Sequence, residues 1–202
     1  MKNRFAGSVI VLAALCAGTF NARAYAADDA VDHTPPSYDM KAQSLLDLQG
    51  VQKKFVDLAN TLPAGKLTWR PSADSRSFAE LFLHVAGERY GILGMMGVTA
   101  PADFNGKTFE KSTTDKAQIV AELNRSWDFA QKAINGMSNA DFAKLLPKLG
   151  PQANAGDVVY ILVGDAHEHL GQAVAYAREN GVVPPWTVEA KKKAAEKKAE
   201  QK

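Results

Sequence analysis

Apolar residues recur every third or fourth position along most of the chain, the spacing of helices that bury one face, and no pair of alternating segments competes with it. Met40, Leu45, Leu48, Phe55, Val56, Ala59 and Leu62 form the first such stripe, which Pro63 and Gly65 stop. Leu67–Pro71 then reads as an extended connector, because the residue before a proline is pushed out of the helical region. Ser77 and Glu80 stand at capping-box spacing and start a second helix, with Phe78, Leu81, Phe82, Val85 and Ile92 on its apolar arc and an end within 94–97. Residues 99–112, rich in Pro, Asn, Gly, Thr and Ser, read as a loop. A third helix is expected over 114–135, with Ile119, Leu123, Trp127 and Ala130 inward and Gly136 as its stop, followed by a short helical piece over 139–146. The fourth long helix spans 156–180, closed by Gly181 and Pro184-Pro185. Four long amphipathic helices predict an all-α protein built as a four-helix bundle.

The fourth stripe is interrupted by charge. At about 100° per residue, Val158, Leu162, Asp165, His169, Ala173 and Tyr176 share one narrow arc, so a carboxylate and an imidazole point into the core. Burying both without partners is costly, and a cation between them satisfies both. His84 flanks the apolar arc of the second helix, in a stripe with Glu88, Gly91 and Met95, and in a bundle it can converge on Asp165 and His169 to give an open three-ligand site. Nitrogen and oxygen donors of this kind suit Zn, Ni, Fe or Mn. Gln172, near His169, is placed to orient a ligand. The competing reading is a plain Asp165–His169 ion pair with His84 bonded elsewhere. His167 projects about 200° from His169, on the polar side with Tyr160 and Arg178, and reads as a surface residue; His33 lies in a polar lead and is set aside.

The termini change the picture. Lys2 and Arg4 precede an apolar run from Phe5 to Phe20, and small residues at 22, 24 and 26 offer cleavage sites, so residues 1–26 read as a signal peptide of an exported, periplasmic or secreted protein. The alternative, an uncleaved anchor, is disfavoured because the run is short for a bilayer core of ~30 Å. Cys16, the only cysteine, falls inside this segment, leaving the mature chain with neither disulfide nor thiolate ligand. Residues 27–38, with Pro35-Pro36, read as a disordered lead, and 188–202 as a solvated Lys/Ala/Glu tail. Between the signal peptide and the charge run of 189–202, residues 27–188 carry 15 basic against 19 acidic residues, which argues against nucleic-acid binding. Once cleaved, the protein has no stable membrane anchor.

Leu67–Pro71 (LTWRP), Arg76–Ala86 (RSFAELFLHVA), Ala166–Gln172 (AHEHLGQ) and Tyr176–Trp186 (YARENGVVPPW) together resemble the DinB family of four-helix metal-binding proteins over residues 38–187. The resemblance implies a divalent-metal site with a histidine from the second helix, matched by His84, and a His-x-x-x-His pair before Gly-Gln on the fourth, whose last member is matched by His169. Asp165 stands where the family has the first histidine of that pair. Aspartate still ligates Zn, Fe or Mn but alters charge and affinity. Similarity to relatives that transfer a low-molecular-weight thiol to an electrophile implies a metal-dependent transferase, with Glu88 as proton acceptor and a small thiol or electrophile as partner. Scarcity of such thiols outside the cytoplasm makes hydrolysis an equal variant. A homodimer is implied by the resemblance alone. The alternative function is a non-catalytic bundle that binds a ligand or partner and keeps the polar cluster as a core network.

Overall fold

The computed structural model describes residues 39–201; the expected signal peptide and the whole of the polar lead, His33 included, lie outside them. Within this span the chain is helical: α1 (Met40–Thr61), α2 (Phe78–Gly94), α3 (Lys116–Asn135), a one-turn α4 (Asn139–Phe142), α5 (Ala155–Glu179) and α6 (Pro185–Glu200). The four long helices anticipated from the apolar periodicity are α1, α2, α3 and α5, each within two residues of its expected ends. No helix among the described residues is long and apolar enough to cross a membrane.

Local chemistry sets the ends. Asp39 and Asp115 accept backbone N–H bonds at the starts of α1 and α3, while Ser77/Glu80, Ser138/Asp141 and Asn154/Asp157 close reciprocal capping boxes on α2, α4 and α5. Gly181 terminates α5 at φ +73°, a left-handed conformation that side-chain-bearing residues rarely adopt, and the Val182 N–H reaches back to the Ala177 carbonyl at 2.8 Å. Gly136 caps α3 with an ordinary right-handed backbone, so its glycine is not required there by conformation.

α1 and α2 each pack along both α3 and α5, so they occupy opposite corners and meet across the core, where Phe55 and Phe82 pack edge to face at 6.3 Å. Leu58, Leu62, Leu81, Leu93, Ile119, Leu123, Val158 and Leu162 complete a dry interior, all 1% exposed or less. One end of the core is aromatic: Trp69 and Phe78 pack on Tyr176 at 5.4 and 5.6 Å, tying the 62–77 connector to the last turns of α5.

Two expectations are corrected in detail, and the charged tail, expected to be solvated, is so as a helix. The 67–71 connector is not extended at its start: Leu67 is right-handed helical and its side chain is buried, because it closes a short 3₁₀ turn over Ala64–Lys66. The short helix stops at Phe142, since Leu145 pairs as an isolated antiparallel bridge with Asn154. The charged tail is helical: α6 starts at Pro185, whose missing N–H costs nothing at a first turn, and runs through 188–200 with no buried residue. It touches the bundle through its first turn, where Lys54 lies over Trp186 at 5.9 Å.

Candidate metal centre

His84 lies in the second turn of α2, and Asp165 and His169 are one turn apart on α5, so the packing of these two helices alone brings the three side chains together. One donor atom from each lies within 4.8 Å of the others. The Nε2 atoms of His84 and His169 are 3.1 Å apart with the rings at 89°, and His169 Nε2 is 3.3 Å from Asp165 Oδ1. His169 is buried and the other two are largely so, at 12% and 19% side-chain exposure.

The outer edges of both rings are already occupied. His84 Nδ1 is 2.7 Å from Glu110 Oε1, and His169 Nδ1 is 3.0 Å from Gln172 Oε1, whose amide nitrogen in turn donates to the Tyr176 hydroxyl at 2.9 Å. A carboxylate oxygen and an amide oxygen only accept, so each imidazole donates from Nδ1 and, when neutral, is left with an Nε2 lone pair. Two lone pairs 3.1 Å apart repel unless something positive lies between them. A divalent ion at about 2.0–2.1 Å from each nitrogen, with ligand angles between about 90° and 109°, requires an N···N edge of about 2.8–3.4 Å. The observed edge falls in that interval, with Asp165 adjacent as the third donor. The residues therefore fit a metal.

Without an ion, a proton does the same task. Hydrogen bonding to Asp165 is the main influence holding the His169 imidazole above its usual range; burial opposes it, and Gln172 adds to it. A protonated His169 gives one N–H to Gln172 and shares the other between Asp165 and His84. The buried ion pair weighed from sequence is thus the proton-occupied form of the same cluster.

Glu110 and Arg76 were not foreseen. Glu110 comes from the 99–112 segment, which is no simple polar loop: Phe104 and Phe109 pack on Tyr90 at 4.8 and 6.1 Å, and a 3₁₀ turn covers Phe109–Lys111. The Phe109 ring rests against Gly87, where a Cβ would come within 3.2 Å of it. Arg76 grips Glu110 through Nε at 2.8 Å and Nη2 at 3.2 Å. Burial pushes the Glu110 carboxyl up, but Arg76 and His84 together hold it below the usual carboxylate range.

Of the other residues singled out, Glu88 is 3.6 Å from His84 Nδ1, on the ring edge that faces away from His169. His167 is half-exposed and bonds Asp47 of α1 at 2.7 Å, away from the cluster. Next to the site an open, polar cleft of about 520 Å³ is lined by Arg70, Arg76, Glu80, Glu110, Lys111 and Gln172. Four of its charges are paired, Arg70 with Glu80 at 3.0 Å and Arg76 with Glu110. A further buried charge lies deeper in α2. Arg89 is 2% exposed and bonds the Leu123 carbonyl at 2.8 Å and Ser126 Oγ at 3.0 Å, with no carboxylate in contact among the described residues.

Comparison with known proteins agrees with this architecture. Residues 47–173 match the family model described as the DinB superfamily. Two solved structures resemble the chain. A DinB-like protein from Bacillus cereus has a TM-score of 0.62 and 13% identity, over 71% of this chain and 95% of its own. A conserved protein from Enterococcus faecalis has a TM-score of 0.59 and 15% identity, over 70% of this chain and 97% of its own. Curated proteins give no match. The chain belongs to the DinB superfamily.

Proposed function

We propose that this DinB superfamily member is an exported metalloprotein that holds one divalent ion on His84, Asp165 and His169 and uses it in a thiol-transfer or hydrolytic reaction. One observation carries the reading: two imidazoles committed at Nδ1 turn their Nε2 atoms toward each other at 3.1 Å, a spacing natural for two ligands of one ion and unfavourable when neither a cation nor a proton lies between them. When bound, the ion supplies Lewis acidity, which makes a thiol or water nucleophilic near neutral pH. The donor set of two nitrogens and an oxygen suits Zn, Ni, Fe or Mn.

The chain's own groups divide the remaining work. Asp165 brings negative charge to the cluster, and Gln172 and Tyr176 hold the His169 ring in place through a relay of hydrogen bonds. Glu88, the proton acceptor expected from the sequence, lies at the Nδ1 edge of His84, away from the Nε2 atoms that would hold the ion, and so acts on a nucleophile there only through a bridging water. It has no hydrogen bond among the described residues and is about a third exposed, whereas Glu110 is committed to Arg76 and His84. A small thiol or an electrophile is the partner for transfer, and water replaces the thiol for hydrolysis. Export rests on the basic and apolar pattern of residues 1–26.

The test is elemental analysis and calorimetric titration of purified mature protein with Zn, Ni, Fe(II) and Mn(II). One ion per chain in the wild type, and loss of it in both His84→Ala and His169→Ala, is the expected result. A wild-type chain that takes up none of these metals would remove the enzymatic reading and leave the polar cluster as a core network. Amino-terminal sequencing of the exported protein is expected to begin between Ala24 and Asp28.

A further inference from the structure

We propose that Glu110, clamped by Arg76, is the positioning residue that holds the His84 proton on Nδ1 and thereby makes Nε2 the ligand atom. The inference rests on the metal-site reading above and adds a dependence that the three ligands themselves do not have. His84 and His169 are both on long helices, but their outer partners differ in kind. Gln172 is one turn along α5 from His169, so its contact is local to one helix. Glu110 is 26 residues from His84 and reaches it only when the 99–112 segment folds back onto α2.

The geometry is specific for an acceptor. Glu110 Oε1 takes the His84 Nδ1–H at 2.7 Å and an Arg76 Nη2–H at 3.2 Å, while Oε2 takes the Arg76 Nε–H at 2.8 Å. Both oxygens are thus engaged, and the bidentate grip fixes the plane of the carboxylate. The carboxylate has no proton to offer, so the neutral His84 ring has one tautomer that keeps this bond: hydrogen on Nδ1, lone pair on Nε2. With the opposite tautomer two acceptors would face each other at 2.7 Å on one edge of the ring. On the other, a hydrogen would fill the space between the histidines.

Delivery of Glu110 depends on aromatic docking next to it in sequence. Phe109 packs over Gly87, one turn from His84, and against Phe104 at 5.0 Å and Tyr90 at 6.1 Å. The absence of a side chain at position 87 lets the segment approach α2 closely enough for the next residue to reach the imidazole. The α2–α3 connector therefore acts on the metal centre without supplying a ligand.

The experiment uses the full mature chain, chelated and labelled with ¹⁵N-histidine, at alkaline pH; His84 signals are identified by their loss in His84→Gln. In the wild type, His84 Nδ1 is expected to show the protonated, pyrrole-type shift and Nε2 the unprotonated one. In Glu110→Gln the two shifts move toward a mixture, and zinc affinity measured by chelator competition falls about 10- to 100-fold, the usual consequence of removing an outer partner of a ligating histidine. Glu110→Asp recovers part of both. Arg76→Gln, which leaves the carboxylate in place without its clamp, shifts both readouts in the same direction but less, and serves if Glu110→Gln does not fold. Wild-type His84 protonated on Nε2, or Glu110→Gln with unchanged tautomer and unchanged zinc affinity, would overturn the proposal. A tautomer that is held in the wild type and lost in Glu110→Gln, in a chain that binds no metal, would support this role for Glu110 while refuting the metalloprotein reading.

Discussion

Removing the metal from the wild type, and removing one nitrogen of its site by His169→Ala, perturb the same cluster in ways that combine differently under the two readings. An ion bound only by the folded chain stabilises it by about 2.7 kcal/mol at a free concentration 100 times Kd and about 4.1 kcal/mol at 1,000 times Kd. For a chain of this size each kcal/mol moves Tm by about 2–4 °C, so a chelator is expected to lower the wild-type Tm by about 5–15 °C. His169→Ala keeps only His84 and Asp165 and loses the ring that bonds Gln172 and Asp165. That loss costs on the order of 1–3 kcal/mol whether or not metal is present, because the Gln172 oxygen and the Asp165 carboxylate are left without it. The variant should therefore melt a few degrees below the chelated wild type and should not respond to chelator. Differential scanning fluorimetry of both proteins, with and without EDTA and at two zinc concentrations, reads all of these values. If chelator leaves the wild type unmoved, or lowers both proteins equally, no ion is bound through His169 and the reasoning from the 3.1 Å contact fails.

Four further outcomes follow from the same structure. Because the His169 pKa is raised in the folded, metal-free chain, its contribution is fully present below the ordinary histidine range and is lost as pH rises through the folded value; the Tm gap between chelated wild type and His169→Ala should narrow with increasing pH. Zinc affinity, in competition with that proton, should rise over the same interval, and chelator-competition titrations at several pH values check the sign. Burial pulls the Arg89 guanidinium down to about 10, and its acceptor, the Leu123 carbonyl, also receives bonds from Gln52 at 3.2 Å and Ser126 at 3.1 Å. Arg89→Met leaves that carbonyl bonded and the space filled, so urea denaturation should place it within about 1 kcal/mol of wild type or above it, whereas Arg89→Ala should cost about 2–5 kcal/mol through its cavity. Gly181→Ala, at φ +73°, should lower stability by about 1–2 kcal/mol in the same assay.

How far the site could be read from sequence depended on whether its parts lie on one helix or are joined by tertiary docking. Asp165 and His169 were visible because a charge on an apolar arc has no cheap resting place, and the observed burial of Val158, Leu162, Ala173 and Tyr176 confirms that arc. His84 was visible more weakly, as a flanking residue; its convergence with α5 required bundle packing and was borne out by the contact between α2 and α5. The Ser77/Glu80 capping box fixed the start of the second helix, since it is local chemistry. The end of the short helix was not local: Leu145 left it to pair with Asn154, a contact set by the following turn.

Glu110 was hidden for a different reason. Nothing within a few residues of it marks a ligand-orienting carboxylate, and the stretch around it has the composition of a surface loop. The informative residues were Phe104 and Phe109, two large apolar side chains in a polar segment that need burial somewhere, and Gly87, a gap on the face of α2 one turn from a candidate ligand. Together they describe a docked strap, not a free loop, and a docked strap brings its charged neighbours to fixed places. Glu110 then meets Arg76, which the 62–77 connector carries to the same end of α2, and the clamped carboxylate meets the imidazole. The three ligands are thus the legible part of this site because two helices carry them. Their orientation is the illegible part because it is set by two connectors, each with little regular structure of its own, folding over the same turn.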